Sequence, residues 1–138
     1  MLHFDVNWLS IFLAMIASMA LGMIWYMGLA KQWMAATGKK EDKLMGSDGR
    51  SPSPFIFAAI VQFIMAYFIA ILTPLLMGGV INPTNGALVG AHMWFAFIIT
   101  SMILNHRYQS MSWKLTLIDG GYLLGVMILQ GIIIGLFG

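Results

Sequence analysis

All seven basic residues of this 138-residue chain fall into two short stretches, with long uncharged runs around them. Lys31, Lys39, Lys40, Lys43 and Arg50 form the first stretch; Arg107 and Lys114 form the second. From Ser51 to His106 there is no Asp, Glu, Lys or Arg. A water-soluble fold of this size needs charge over its surface, whereas a chain crossing a bilayer must keep charge away from lipid. Charged residues make up 9% of the chain, against roughly a quarter in ordinary soluble domains. The pattern selects an all-α, polytopic membrane protein built as a single domain.

Four apolar runs are long enough to span: residues 6–30, 55–77, 87–104 and 115–137, since ~20 residues at ~1.5 Å each cross the hydrocarbon core. No Lys or Arg precedes the first run and it exceeds the ~7–15 residues of a signal-peptide core, so it reads as a span. The loop after the first span holds five Lys/Arg, the loop after the third holds two, and the loop after the second holds none. By the positive-inside rule, both basic loops are cytoplasmic, and both termini lie outside with the Asn82–Asn85 turn. The expected architecture is an up-down-up-down bundle of four transmembrane helices in the inner (cytoplasmic) membrane. Its one sizeable loop, 31–54, is cytoplasmic. Lys31 to Ala36 is expected to continue the first helix past the membrane, with Trp33 at headgroup depth and Gly38 as C-terminal cap. Residues 39–43 and 47–54 read as turn and loop, with Pro54 suited to the first turn of the second helix.

Helices in lipid associate through small residues that let backbones approach. Ser10, Ala14, Ser18 and Gly22 recur at steps of four in the first span, and Ala58, Gln62, Ala66 and Ala70 in the second; Gly86 and Gly90 open the third. In the fourth span, at roughly 100° per residue, Gly121, Gly125, Gly131 and Gly135 share one side. Asp119, Tyr122, Val126 and Gln130 lie nearly opposite. One face is expected to pack inside the protomer and the other to meet a cavity or a second copy, hence an expected homo-oligomer. The alternative is that one four-helix core uses both faces.

Polar residues within the spans are few, so each is a candidate. Asp119 lies five residues beyond Lys114, and an ionised carboxylate at the centre of a span costs at least ~2.5 kcal/mol. It could lock the hairpin through Arg107 or His106, cap a helix beginning at Asp119-Gly120-Gly121, or respond to protons or cations. His92, Thr100 and His106 fall near one helix face and, with Asp119, could form a proton path; the alternative for His92 is a hydrogen bond to a neighbouring helix. Asn105-His106-Arg107-Tyr108 reads as interfacial anchors and lipid-phosphate contacts, or as the vestibule of a site with Asp119 and Tyr122. Trp25 and Tyr26 have the same two readings. Gln130 completes the polar face of the fourth span. Met15, Met19, Met23 and Met27 form a ladder that reads as flexible packing.

Some chemistries have no basis in these residues. With no Cys and two histidines fourteen residues apart on one helix, no metal site is expected, nor any cofactor. No basic stripe marks a nucleic-acid partner. No nucleophile–base pair can be placed, so no catalytic residue is assigned. The bilayer is the one partner that composition demands.

Asn7-Trp8-Leu9, Leu21-Gly22-Met23-Ile24-Trp25-Tyr26, Gln32-Trp33-Met34, Gly86-Ala87, Trp94, Phe97, Asn105 and Leu117-Ile118-Asp119-Gly120-Gly121-Tyr122 stand in an order that resembles a known family. It is the small bacterial integral membrane family catalogued as domain of unknown function 1761. Where that family usually has a Pro after its Trp-Tyr pair, this chain has Met27-Gly28. The resemblance implies a four-span membrane protein with no assigned activity, and it adds weight to Trp25, Tyr26, Trp33, Asn105, Asp119 and Tyr122. Three classes of function stay open: a translocator of a small solute, ion or proton; a structural or regulatory membrane subunit binding protein or lipid; and, least favoured, a membrane enzyme.

Overall fold

The structure, a computed structural model, describes residues 5–38 and 52–138. Of the expected turn and loop, 39–43 and 47–51 lie outside the described residues, and the end of the loop is shorter than expected because helix begins at Ser53. Helix α1 (Trp8–Gly28) starts where the Asn7 side chain accepts from the amides of Leu9 and Ser10, so two orphan N–H groups gain a partner. The expected continuation past the membrane is instead a separate helix, α2 (Ala30–Thr37). Leu29 leaves helical geometry at φ −110°, ψ 21°, so the chain turns at Gly28–Leu29 without a proline. Gly38 ends α2 in the left-handed conformation at φ 74°, its N–H bonded to the Met34 carbonyl.

Helix α3 (Ser53–Leu76) has Pro54 in its first turn and carries Pro74 near its end. Gly78 and Gly79 then turn the chain with φ of 63° and 86°. Helix α4 (Pro83–Met93) begins four residues before the expected start of its span, because Asn82 caps it through the Asn85 amide and Pro83 occupies the first position. It does not run straight into α5 (Ile99–Tyr108): a π-turn over Trp94–Ile98 joins them. Helix α6 (Trp113–Phe137) is capped by the Ser112 hydroxyl. The spans α1, α3, α4–α5 and α6 are each long and apolar enough to cross a membrane. Large apolar side chains such as Ile24, Phe95 and Leu117 lie exposed on the outside, as lipid contact requires. The chain is an all-helical, multi-pass membrane protein.

Helix α6 is the hub. It runs antiparallel to α1, with the Asn7 side chain donating to the Phe137 carbonyl at one end and Ser112 donating to the Ala36 carbonyl at the other. Against α4 the approach is backbone to backbone. A Cβ on Gly86 would sit 1.9 Å from the Gly131 carbonyl oxygen, and one on Gly90 2.2 Å from that of Met127. Gly135 meets the Asn82–Pro83 backbone in the same way. Gly121 and Gly125 instead face Trp25 and Leu21 of α1. Tyr122, Val126 and Gln130 are buried. One protomer therefore fills both faces of α6, and neither is left for a second copy. Ser10, Ala14 and Ser18 of α1 and Gln62, Ala66 and Ala70 of α3 are buried as well.

Candidate functional site

Asp119 lies six residues into α6, about 9 Å along its axis. The helix begins at Trp113, so Asp119 is an interior residue and not a cap. Its Oδ1 accepts a hydrogen bond from the Tyr26 hydroxyl at 2.6 Å, and the Trp33 indole also donates to the carboxylate. Trp33 lies in α2, one turn beyond the break at Leu29. Two neutral donors replace part of the water that a carboxylate loses inside a span. Arg107 is not the partner. Its guanidinium donates to the Met111 carbonyl at 2.9 Å and the Thr116 hydroxyl at 3.0 Å, and it stacks 3.6 Å from the centre of the Trp113 ring. His106 is near enough for electrostatic contact with Asp119, while its Nδ1 pairs with the Thr116 hydroxyl at 2.7 Å.

The glycines beside Asp119 serve the site. Trp25 donates its indole N–H to the Ile118 carbonyl at 3.0 Å, and Trp94 donates to the Gly120 carbonyl at 2.8 Å. Trp25 packs where Gly121 lacks a side chain, since a Cβ there would lie 3.1 Å from its ring, whereas a Cβ at Gly120 would lie 2.8 Å from Ile99 of α5. Asp119-Gly120-Gly121 is thus a stretch of helix packed closely against Trp25 and Ile99, not a break in it.

A polar string continues inward from Asp119. The Tyr26 and Tyr122 rings meet edge to face, 5.3 Å between centres. Tyr122 donates to the Ser18 carbonyl at 3.1 Å and accepts from Gln62 Nε2 at 2.6 Å; Gln130 Nε2 donates to the Gln62 carbonyl at 2.9 Å. Gly22 makes room for the Tyr122 ring. The string follows α6 for eleven residues, about 16 Å. It ends with Gln62 Oε1 and Gln130 Oε1, both buried and without a partner among the described residues. Beyond it, fully buried Ile11, Ile69 and Ile134 close the bundle.

Of the residues singled out from sequence, Asp119, Trp25, Tyr26, Tyr122 and Gln130 come together, with His106 and Arg107 alongside through Thr116. His92 and Thr100 do not join them. Both are exposed, and their polar atoms bond back to the carbonyls of Leu88 and Ala96. For His92 the π-turn is the physical reason: one extra residue shifts the helical phase by about 100°, so His92 and His106 no longer share a face, while Thr100 lies on the exposed side of α5 itself. Asn105 is exposed on α5. Sequence placed Gln62 only on the packing seam of the second span, although as the one amide in that run it carried a usable signal for the site. Thr116 had none, because only the fold brings His106 and Arg107 to it. The His106–Thr116 pair joins a hydroxyl to an imidazole, yet that hydroxyl is buried and shared with Arg107 and the Ser112 carbonyl. It fixes a corner and has no room to attack a substrate.

With this geometry in place, comparison with known proteins gives a family. The chain belongs to the family described as "Protein of unknown function (DUF1761)", which it matches over residues 9–135. No match was found among curated proteins or among solved structures.

Proposed function

We propose that this chain handles a proton or small cation at Asp119, as a translocator whose Asp119 end faces the cytoplasm. The supporting observation is a membrane-embedded carboxylate bound by Tyr26 and Trp33 and not by Arg107. Carboxylates within spans are costly, and they mark ion and proton pathways. Beyond the ring contact of Tyr26 with Tyr122, the hydrogen-bonded Tyr122, Gln62 and Gln130 lie toward mid-membrane, and the layer of Ile11, Ile69 and Ile134 is the barrier that has to open for passage. The proposed orientation puts the basic loops in the cytoplasm and both termini outside, in the inner membrane. A second copy placed over the exposed His92–Thr100 face of α4–α5 makes the proposed homo-oligomer.

The test is flux into proteoliposomes carrying an internal pH dye, under an imposed proton or cation gradient. Wild type is expected to exceed empty liposomes, and Asp119→Asn to fall to their level while eluting as the same assembly. Wild-type flux equal to that of empty liposomes would overturn the proposal. The second reading, a structural or regulatory subunit, is favoured by the closed isoleucine layer. It expects no flux from wild type and loss of assembly in Asp119→Asn.

A further inference from the structure

A groove of about 440 Å³ lies along the outside of α5 at the Asp119 end, within the roughly 300–1,000 Å³ of small-molecule sites. Its chemistry is divided. Phe97 and Ile98 of the π-turn and Leu123 of α6 form an apolar part; Ser101, Asn105 and Gln109, at steps of four, run with His106 toward the helix end. Phe97 and Gln109 are twelve residues apart, about 18 Å along the axis. Polar side chains on the outside of a span need partners. Ser101 finds one in the Phe97 carbonyl, whereas no described residue bonds the side-chain amides of Asn105 and Gln109.

Charge selects the occupant. His106 Nδ1 and Arg107 Nη2 share the Thr116 hydroxyl at 2.7 and 3.0 Å, so a guanidinium sits one hydroxyl away from the imidazole that lines the groove. A second guanidinium nitrogen, Arg107 Nη1, is buried without a partner among the described residues. With the Thr116 hydroxyl donating to Nδ1, its nearest partner, the ring proton is on Nε2, which is left to donate to a ligand. Lys114 lies close in sequence, and the one described acid at this end, Asp119, is already held by Tyr26 and Trp33. The setting is thus cationic and rich in donors at the helix end, and apolar deeper in the span.

We propose that this groove binds one anionic glycerophospholipid from the leaflet at the Asp119 end. Its phosphate meets Asn105, Gln109 and His106 Nε2, and an acyl chain lies along Phe97, Ile98 and Leu123. The proposal is independent of the reading of Asp119 as a proton or cation site.

Native mass spectrometry of the detergent-purified full chain, offered equal amounts of phosphatidylglycerol and phosphatidylcholine, tests it. One phosphatidylglycerol per chain is expected to be retained, with a preference of roughly ten-fold. Asn105→Leu and His106→Leu are expected to abolish the preference. Leu123→Trp, which fills the apolar part and leaves every polar group, is expected to release both lipids. If His106→Leu does not fold, Asn105→Leu and Leu123→Trp decide, because neither removes a hydrogen bond between described residues. Equal retention of both lipids, variants that bind like wild type, displacement of the lipid by inorganic phosphate, or a chain–chain contact that covers the groove in place of lipid would each overturn it.

Discussion

The two ends of the bundle are held together by opposite means. At the Asn82 end, α4 and α6 touch through backbone: Gly86, Gly90, Gly131 and Gly135 leave no space between the helices, and Ile11, Ile69 and Ile134 fill the rest. Close glycine contact of this kind gains dispersion and Cα–H···O interactions in a medium where the hydrophobic effect between helices is absent. At the Asp119 end, the helices are spaced by rings. Trp25, Tyr26, Trp94 and Tyr122 separate α6 from its neighbours, and each ring carries a polar atom that bonds another helix. One end tolerates no added atom. The other is an assembly of side chains that can rearrange, and it is there that the carboxylate sits.

The largest effect that separates the two ends is expected from adding one methyl group. In Gly131→Ala the new Cβ would lie 2.0 Å from the Gly86 carbonyl oxygen, a backbone atom that cannot turn aside. The helices must part, at a cost of about 3 kcal/mol or more. In Gly121→Ala the Cβ meets the Trp25 ring at 3.1 Å, and a small shift of a side chain relieves it. That variant should stay within about 1 kcal/mol of wild type, because Ala also favours the helix by a similar amount. Thermal unfolding of both variants in one detergent checks the contrast. Equal losses would mean that the two ends do not differ in rigidity.

A smaller effect probes the polar string. Tyr122→Phe keeps the ring against Tyr26 but removes the hydroxyl that accepts from Gln62 and donates to the Ser18 carbonyl. A buried amide N–H is left without a partner, at a cost of about 1–3 kcal/mol. Tyr26→Phe removes a partly buried bond whose acceptor, Asp119, keeps the Trp33 donor. Because that acceptor is a carboxylate that stays partnered, the loss is expected to be about 1.5 kcal/mol, toward the lower part of the range for Tyr122→Phe. Should Tyr26→Phe prove the more damaging in denaturant or thermal unfolding, the string would be anchored at Asp119 and not at Tyr122.

Sequence carried the membrane fold almost completely, because charge exclusion and span length are properties of composition and order. The small-residue spacing also pointed to inward positions, among them Ser10, Ala14 and Ser18, which are buried. What sequence could not carry was phase. Projection at a fixed angle per residue places His92 and His106 on one face, but the π-turn at Trp94–Ile98 breaks that register, and no Gly or Pro marks it in Trp94-Phe95-Ala96-Phe97-Ile98. Asp119-Gly120-Gly121 reads locally as a weak helix start. Only the arrival of Ile99 and Trp25 from other helices, at Gly120 and Gly121, explains its glycines. Trp33 reads as an interfacial anchor until the fold sets it beside Asp119. In each case the deciding contact joins residues far apart in the chain.

Gly28 sharpens the contrast from its mild side, with the opposite sign. It is the last residue of α1, its backbone is not in the left-handed region, and nothing lies within 4 Å of where a Cβ would stand. Alanine there meets no neighbour and narrows the unfolded chain's freedom, so Gly28→Ala should stabilise by about 0.4–1 kcal/mol. The same change also favours continuing the helix through Leu29. If the bend that delivers Trp33 to Asp119 depends on Gly28, the gain in stability will come with loss of the Trp33 contact, read as a shift in tryptophan emission against a Trp33→Phe reference. If the emission is unchanged while the protein is stabilised, the bend is set by the contacts of α2 with α6, such as that of Ser112 with the Ala36 carbonyl, and glycine is incidental to it.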